Sequence, residues 1–419
     1  MRGVEWSPGA ETSRLVWPDG RPVDGLLQHH WRLGEDEAGR PLYAGLFDHG
    51  AGWRRRWTAR THGAACAWAL LRKAEGGAEA GFEILQPDLL SANPRGPDDA
   101  APGGGSVVRT RLANGAGAEG TAYALFYTGR RLEVPRVVLD DAPEHAEAVQ
   151  LAVLRRERLA PGVQDAVWRV RRTEFRLAPD PAWHVTEAGE GRPMFRDPFV
   201  FQDRAGGTFM VVASRARSGP PGRDAALTVY AIEGALDDAA AYRRVGAYAP
   251  GRYAVLEAPH VAWVGEAPWL TFNAATERDG PRSVAAVPLP LDAQGSLRPE
   301  GWAGELELLP ATEGLRGAFV DEGLIRGHVP GGGPRVVGAL PWAAEERLQL
   351  EHSTHLAAPL GRAAELTDAT HQWELRKAAL FTRELTDVQR AALRGGAALA
   401  GVLTSAQRRL LDDFYAGRL

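Results

Sequence analysis

Two carboxylates stand in matching surroundings about sixty residues apart. Asp197 lies in Phe195-Arg196-Asp197-Pro198-Phe199-Val200-Phe201, and Glu257 in Leu256-Glu257-Ala258-Pro259-His260-Val261. Each acid is followed by a proline and then by apolar residues. Pro198 fixes its own φ and biases Asp197 towards extended backbone. The residues after it read as the start of a buried strand. A charged side chain at a strand start can enter a pocket while the apolar residues behind it anchor the backbone. Two acids that share a pocket suit glycosidic chemistry. One protonates the leaving oxygen, and the other attacks the anomeric carbon or positions water.

The elements that would bring these acids together follow from the repeat around them. The segment 197–214 reads as strand, turn at 203–207, and second strand at 208–213. The segment 257–274 repeats this order, with its turn at 265–267 and second strand at 268–272. A weaker copy runs over 320–340, where the acids are Asp321 and Glu322, and more divergent copies cover 30–47 and 106–127. Further strands are expected at 149–154 and 166–175. A β repeat with a period of about sixty to sixty-five residues points to a propeller, and five such units use most of the chain. The prediction is an all-β, five-bladed β-propeller over 1–375. The first strand of each blade lines the central axis, so strand-start residues of different blades meet at one end of the tunnel.

The C-terminal segment changes character. Thr386-Asp387-Val388-Gln389 and Thr404-Ser405-Ala406-Gln407 each match a capping box, with Gly395-Gly396 between them. Two short helices are expected, over 386–394 and 404–415. They form an appendage, 376–419, packed on the outside of the propeller.

Composition excludes several classes of function. The 419 residues are enough for a sizeable core, and 44% hydrophobic with 24% charged residues is ordinary for a globular protein. A net charge of −4 gives no electrostatic reason to expect nucleic acid or an anionic membrane as partner. The single cysteine, Cys66, rules out an intrachain disulfide and a cysteine metal site, and reads as a buried packing residue. The 49 glycines, 29 prolines and 13 tryptophans favour many short strands over long helices. No signal segment opens the chain, and no apolar run reaches the length of about 18 residues that spans a membrane. A soluble cytoplasmic protein is therefore expected, with a small molecule as its partner. No cofactor or metal is called for.

The order Leu125-Phe126-Tyr127-Thr128-Gly129, then Phe195 to Phe201, then Leu256 to Val261 resembles the levansucrase and invertase superfamily of glycosidases. The Glu-x-Pro-His form, read at Glu257 to His260, is closer to the levansucrases. The resemblance implies a five-bladed propeller that cleaves or transfers fructosyl units through a covalent intermediate. It implies that Asp197 binds sugar hydroxyls and stabilises the transition state, that Arg196 orients it, and that Glu257 is the acid/base.

Three positions depart from that pattern. The first-blade stretch that carries the family's nucleophile aligns with Gln28-His29-His30-Trp31-Arg32-Leu33, which puts His29 where an aspartate is expected. Asp24 is the nearest upstream acid and becomes the candidate nucleophile; Asp19 lies further off. The arginine that follows the family's glutamate is Ala258 here. The family's Trp-Ser-Gly-Ser segment is reduced to Gly103-Gly104-Gly105-Ser106. The candidate catalytic residues are therefore Glu257, Asp197 and Asp24. Candidate substrate contacts are Arg196, His29, His30, Trp31, Ser106 and His260. A histidine is a poor glycosyl acceptor but a good proton shuttle near neutral pH. Neighbouring histidines on a strand face opposite ways, so His29 and His30 would not chelate a metal together. A second reading follows from the departures: a repurposed propeller that uses Glu257, Asp197 and His29 for acid–base chemistry on a non-sugar substrate, or a binding protein without catalysis.

Overall fold

A computed structural model of the chain describes residues 15–16, 20, 22, 25–49, 66–74, 81–91, 98, 101–110, 122–132, 144–158, 166–186, 194–264, 267–278, 280–304, 307–308, 316–321, 324–328, 334–339, 386, 388–389 and 404–407. The expected all-β architecture is present. Strands β1 (Leu15–Val16), β2 (Gly25–Glu35), β3 (Pro41–His49), β4 (Cys66–Lys73) and β5 (Phe82–Leu90) form one sheet. A second contains β6 (Ala101–Thr110), β7 (Ala122–Leu132), β8 (Glu144–Arg158) and β9 (Ala166–Leu177). A third contains β10 (Phe195–Gln202), β11 (Thr208–Arg215), β12 (Ala225–Ile232) and β13 (Tyr242–Tyr248). A fourth contains β14 (Val255–Val264), β15 (Ala267–Ala275), β16 (Ser283–Pro288) and β17 (Glu307–Leu308). The last described sheet contains β18 (Arg316–Asp321), β19 (Leu324–His328) and β20 (Pro334–Ala339).

Each sheet is an antiparallel meander whose opening strand lies at one edge; in the first sheet that strand is β2, and β1 joins the opposite edge parallel to β5. The opening strands touch in sequence, β2 to β6, β6 to β10, β10 to β14 and β14 to β18, and β18 returns to β2. This is a propeller arrangement, with consecutive sheets stacked face to face. Apolar residues fill the seams. Leu42, Trp68 and buried Cys66 pack with Tyr123 and Leu125 between the first two sheets. Phe126 and Val149 pack with Phe195 and Val212 in the next seam, and Phe199 and Val211 with Leu270 and Phe272 in the one after.

The opening strands share an irregularity that decides where the site forms. Pairing slips by one residue between Pro102 and Gly105, between Arg196 and Phe199, between Glu257 and His260, and between Arg316 and Phe319. A corresponding bulge lies between Leu27 and His29. Each bulge sits near the start of its strand, so all lie at one end of the ring. A bulge reverses which face the following side chains take, because the side-chain period is two. Phe195 and Val200 both face the second sheet, whereas Phe199 and Phe201 face the fourth. Leu256 and Val261 likewise both face the third sheet.

This register corrects the expected correspondence of the two acids. The prolines match, Pro198 with Pro259, but Asp197 matches Ala258, and Glu257 matches Arg196. The weaker copy is also displaced. Asp321 ends β18 and pairs with Leu324, so this acid lies at the hairpin end and not at the bulge.

The C-terminal caps form as expected in the described residues. Gln389 N–H donates to Thr386 Oγ1 at 3.2 Å and Gln389 Oε1 accepts the Thr386 N–H at 3.0 Å. Thr404 and Gln407 repeat the exchange at 3.2 and 2.9 Å. Residues 388–389 and 405–407 are helical, and Gln389 Nε2 donates to Gln407 Oε1 at 2.8 Å. The remainder of both expected helices and the boundary at 375 lie outside the described residues.

Candidate active site at the bulged end of the ring

Asp197 occupies the bulge of β10 with a φ of 55°, not the extended backbone expected before Pro198, and Ala258 occupies the bulge of β14 with a φ of 53°. These are the described non-glycine residues with positive φ, a conformation that costs of order 1 kcal/mol or more and is retained where surroundings impose it. The surroundings here are a chain of hydrogen bonds through three sheets. Thr128 Oγ1 donates to Gly104 O at 2.9 Å and accepts the Asp197 N–H at 2.8 Å. Asp197 Oδ2 accepts the Ala258 N–H at 3.0 Å. The two bulges are thus joined directly, and the aspartate carboxylate is the joint.

The glycine run makes room for that carboxylate. A Cβ on Gly104 would run into Asp197 Oδ1, and one on Gly105 into the Phe126 carbonyl. The carbonyls of the run are all held: Trp68 Nε1 donates to Gly103 O at 3.2 Å and Trp31 Nε1 to Gly105 O at 3.0 Å, beside the Thr128 bond to Gly104.

Glu257 stands one residue before its bulge. Its Oε1 accepts from Arg282 Nε at 2.5 Å, and its Oε2 lies 3.8 Å from Arg196 Nη2. Arg196 Nη1 lies 3.6 Å from Oε1 of Glu147, which is buried, and Arg130 Nε lies 3.7 Å from the same oxygen. Arg282, Glu257, Arg196, Glu147 and Arg130 therefore form a row of alternating charge, and its middle three members act on Asp197.

Burial pushes the Asp197 carboxyl up from an ordinary 3.8 to about 6; Arg196 opposes this, the Glu257 and Glu147 charges add to it, and the Ala258 N–H opposes it. The folded protein thus holds this proton more tightly than the unfolded chain. Its cost to stability is absent below pH 3.8, grows between 3.8 and about 6, and is complete above. The full cost is about 3 kcal/mol. Asp197→Asn is accordingly expected to gain stability over the wild type by about that amount as pH rises from 4 to 7. Urea unfolding of both proteins across this range measures it, and a difference that stays flat with pH would contradict the assignment.

Several expected contacts lie elsewhere. His30 faces away from the acids, with its ring against Phe82 at 4.6 Å and Tyr43 at 5.4 Å. Ser106 Oγ is engaged by the Val200 N–H at 3.1 Å, which makes it a link between sheets and not a pocket hydroxyl. Trp31 and His260 do come together: their rings stack at 5.4 Å, and Phe199 lies 4.7 Å from His260 and 5.5 Å from Trp31. His260 and Phe199 hold equivalent positions just past their bulges, so this aromatic layer follows directly on the bulges at Asp197 and Ala258. The backbone of His29 lies in β2 at its bulge; Asp24 and Asp19 lie outside the described residues. Glu147 and Arg282 were not anticipated. Neither sits in a local motif, and Glu147 reaches its partners from the third strand of a neighbouring sheet.

Neither a protein-family model nor a curated protein matches the chain. Solved structures similar to it are levansucrases, β-fructofuranosidases and an inulosucrase. The levansucrase of Gluconacetobacter diazotrophicus is 15% identical, with 78% of this chain and 81% of that chain covered and a TM-score of 0.47. The β-fructofuranosidase catalytic domain of Microbacterium saccharophilum K-1 is 14% identical, with 84% and 91% covered and a TM-score of 0.47. The kestose-bound inulosucrase of Halalkalicoccus jeotgali is 16% identical, with 78% and 82% covered and a TM-score of 0.46.

Proposed function

We propose that this chain is a five-bladed propeller enzyme that cleaves or transfers a glycosyl group at the Asp197–Glu257 pocket. The supporting observation is the placement of the two acids on adjoining strand starts, where Asp197 Oδ2 accepts the N–H of Ala258, the residue after Glu257, at 3.0 Å. A carboxylate beside the sugar ring favours the positive charge that develops there during glycosidic cleavage. In this reading Asp197 stabilises that charge and holds ring hydroxyls. Glu257, on the adjoining strand start, exchanges the proton of the leaving oxygen. Asp24 is the proposed nucleophile, and the sequence resemblance makes a fructosyl group the first substrate class to try.

A second reading draws on Glu257 itself. Arg282 engages Oε1 at 2.5 Å and so competes with a substrate oxygen for that atom. If the pair persists when substrate binds, Glu257 serves as a fixed anion, and the pocket is suited to non-hydrolytic acid–base chemistry or to binding alone. Incubation with sucrose and assay of free glucose separates the two readings. The first expects glucose from the wild type and none above background from Asp24→Asn. Folded wild type that releases no glucose favours the second.

A further inference from the structure

The free edge of β10 is satisfied by side chains of the sheet before it. Glu147 Oε2 accepts the Phe195 N–H at 3.1 Å, Thr128 Oγ1 accepts the Asp197 N–H at 2.8 Å, and Ser106 Oγ accepts the Val200 N–H at 3.1 Å. Of these three acceptors only Glu147 carries a charge, and it is 7% exposed. Burying a carboxylate is costly, and a neutral acceptor would serve the Phe195 N–H equally well. The charge therefore has another use. Glu147 Oε1 faces Arg196 Nη1 at 3.6 Å, and the other end of the same guanidinium faces Glu257 at 3.8 Å and Met194 Sδ at 3.2 Å.

We infer that Glu147 is a positioning residue that holds the Arg196 guanidinium between itself and Glu257 and fixes the strand bearing Asp197. Its carboxylate shares Arg196 with Glu257, so that the guanidinium spans two acids. With Glu147 neutral, Arg196 is drawn towards Asp197 and Glu257, the nearest remaining anions. The inference rests on the proposed role of the Asp197–Glu257 pocket for its importance, but not for its test.

The charged groups facing Asp197 are Arg196 on its own strand, Glu257 on β14 and Glu147 on β8, with Arg282 behind Glu257 and Arg130 behind Glu147. Glu147→Gln keeps the size and the acceptor for Phe195 N–H while removing the charge. The test is a carbon-13 titration of the Asp197 carboxyl, assigned by its loss in Asp197→Asn. Glu147→Gln is expected to lower the Asp197 midpoint by about one unit, because a like charge is lost and Arg196 moves closer. A purely structural role would lower the urea midpoint and leave the Asp197 titration in place; that result in folded protein overturns the inference. Glu147→Asp provides the same readout if Glu147→Gln does not fold. It keeps the charge at shorter reach and is expected to lower the midpoint by a smaller step, and an unchanged midpoint again overturns the inference. Since no substrate is needed, failure to cleave sucrose would count against the proposed function and leave this result standing.

Discussion

Glu257→Gln is expected to lower glycosyl turnover by about a thousandfold while the protein remains folded. Glutamine preserves the volume and one acceptor oxygen for Arg282 but cannot exchange a proton at neutral pH. General acid–base groups contribute about a hundred- to ten-thousandfold to rate, and loss of the group forfeits that share. The glucose assay on sucrose reads the outcome, with urea unfolding of the same preparation as control. The variant leaves Arg282 and Arg196 facing a neutral group, so a modest stability change is compatible with the reading. Turnover within tenfold of wild type would remove Glu257 from the mechanism.

Arg172→Met is expected to cost about 3–5 kcal/mol of stability, the usual penalty for breaking one side of a buried ion pair. Asp98 is fully buried, and its Oδ2 accepts from Arg172 Nε at 3.0 Å and from Tyr127 Oη at 3.1 Å. Arg172 also donates to the Ser91 carbonyl, so it ties residues 91 and 98 to β9. Burial and the Asp98 charge push the Tyr127 hydroxyl well above its ordinary range, which keeps it a proton donor to the carboxylate. Without Arg172 the carboxylate retains Tyr127 but loses its counter-charge. The double variant Arg172→Met with Asp98→Asn should recover a large part of the loss, since the stranded charge is then gone. Urea midpoints at pH 7 measure both. A double variant no more stable than Arg172→Met would show that the cost lies in packing and not in the buried charge.

The Tyr127–Thr128 pair shows how strand alternation divides structural from site chemistry. Tyr127 turns into the seam towards Asp98, while Thr128 turns to the bulge of β10 and accepts the Asp197 N–H. The two neighbours therefore serve opposite faces, as the period of two requires.

Much of the scaffold was legible in the residues. Phe199-Val200-Phe201 and the apolar residues after Pro259 announce buried strands, and the repeated acid–proline layout locates two adjoining sheets. The capping boxes at Thr386 and Thr404 are local patterns and form as local patterns do. Asp197 and Glu257 were legible as neighbours in space because both open an inner strand of a repeated unit. What the residues alone determined, then, was the inner strands and their hairpin partners, their repetition, and the pair of acids at one end of the ring; the outer strands β5, β12, β13 and β16 were not read from the sequence.

Tertiary structure alone decided the rest. The acids differ by one residue in their spacing to the matched prolines, but only the bulges at Asp197 and Ala258 decide that Asp197 sits in the bulge and Glu257 before it, and neither bulged residue is the glycine or asparagine that usually marks a positive φ. His30 and Trp31 differ in face by one step of β2, and the bulge at 27–29 sets which one turns to the site. Glu147 meets the backbone of Phe195 across a separation of 48 residues, and Asp197 meets Ala258 across 61. Such pairs carry no local periodicity or turn chemistry to reveal them. They exist because the ring brings the unpaired edge of one inner strand against the side chains of the sheet before it, and buried N–H groups there must find an acceptor.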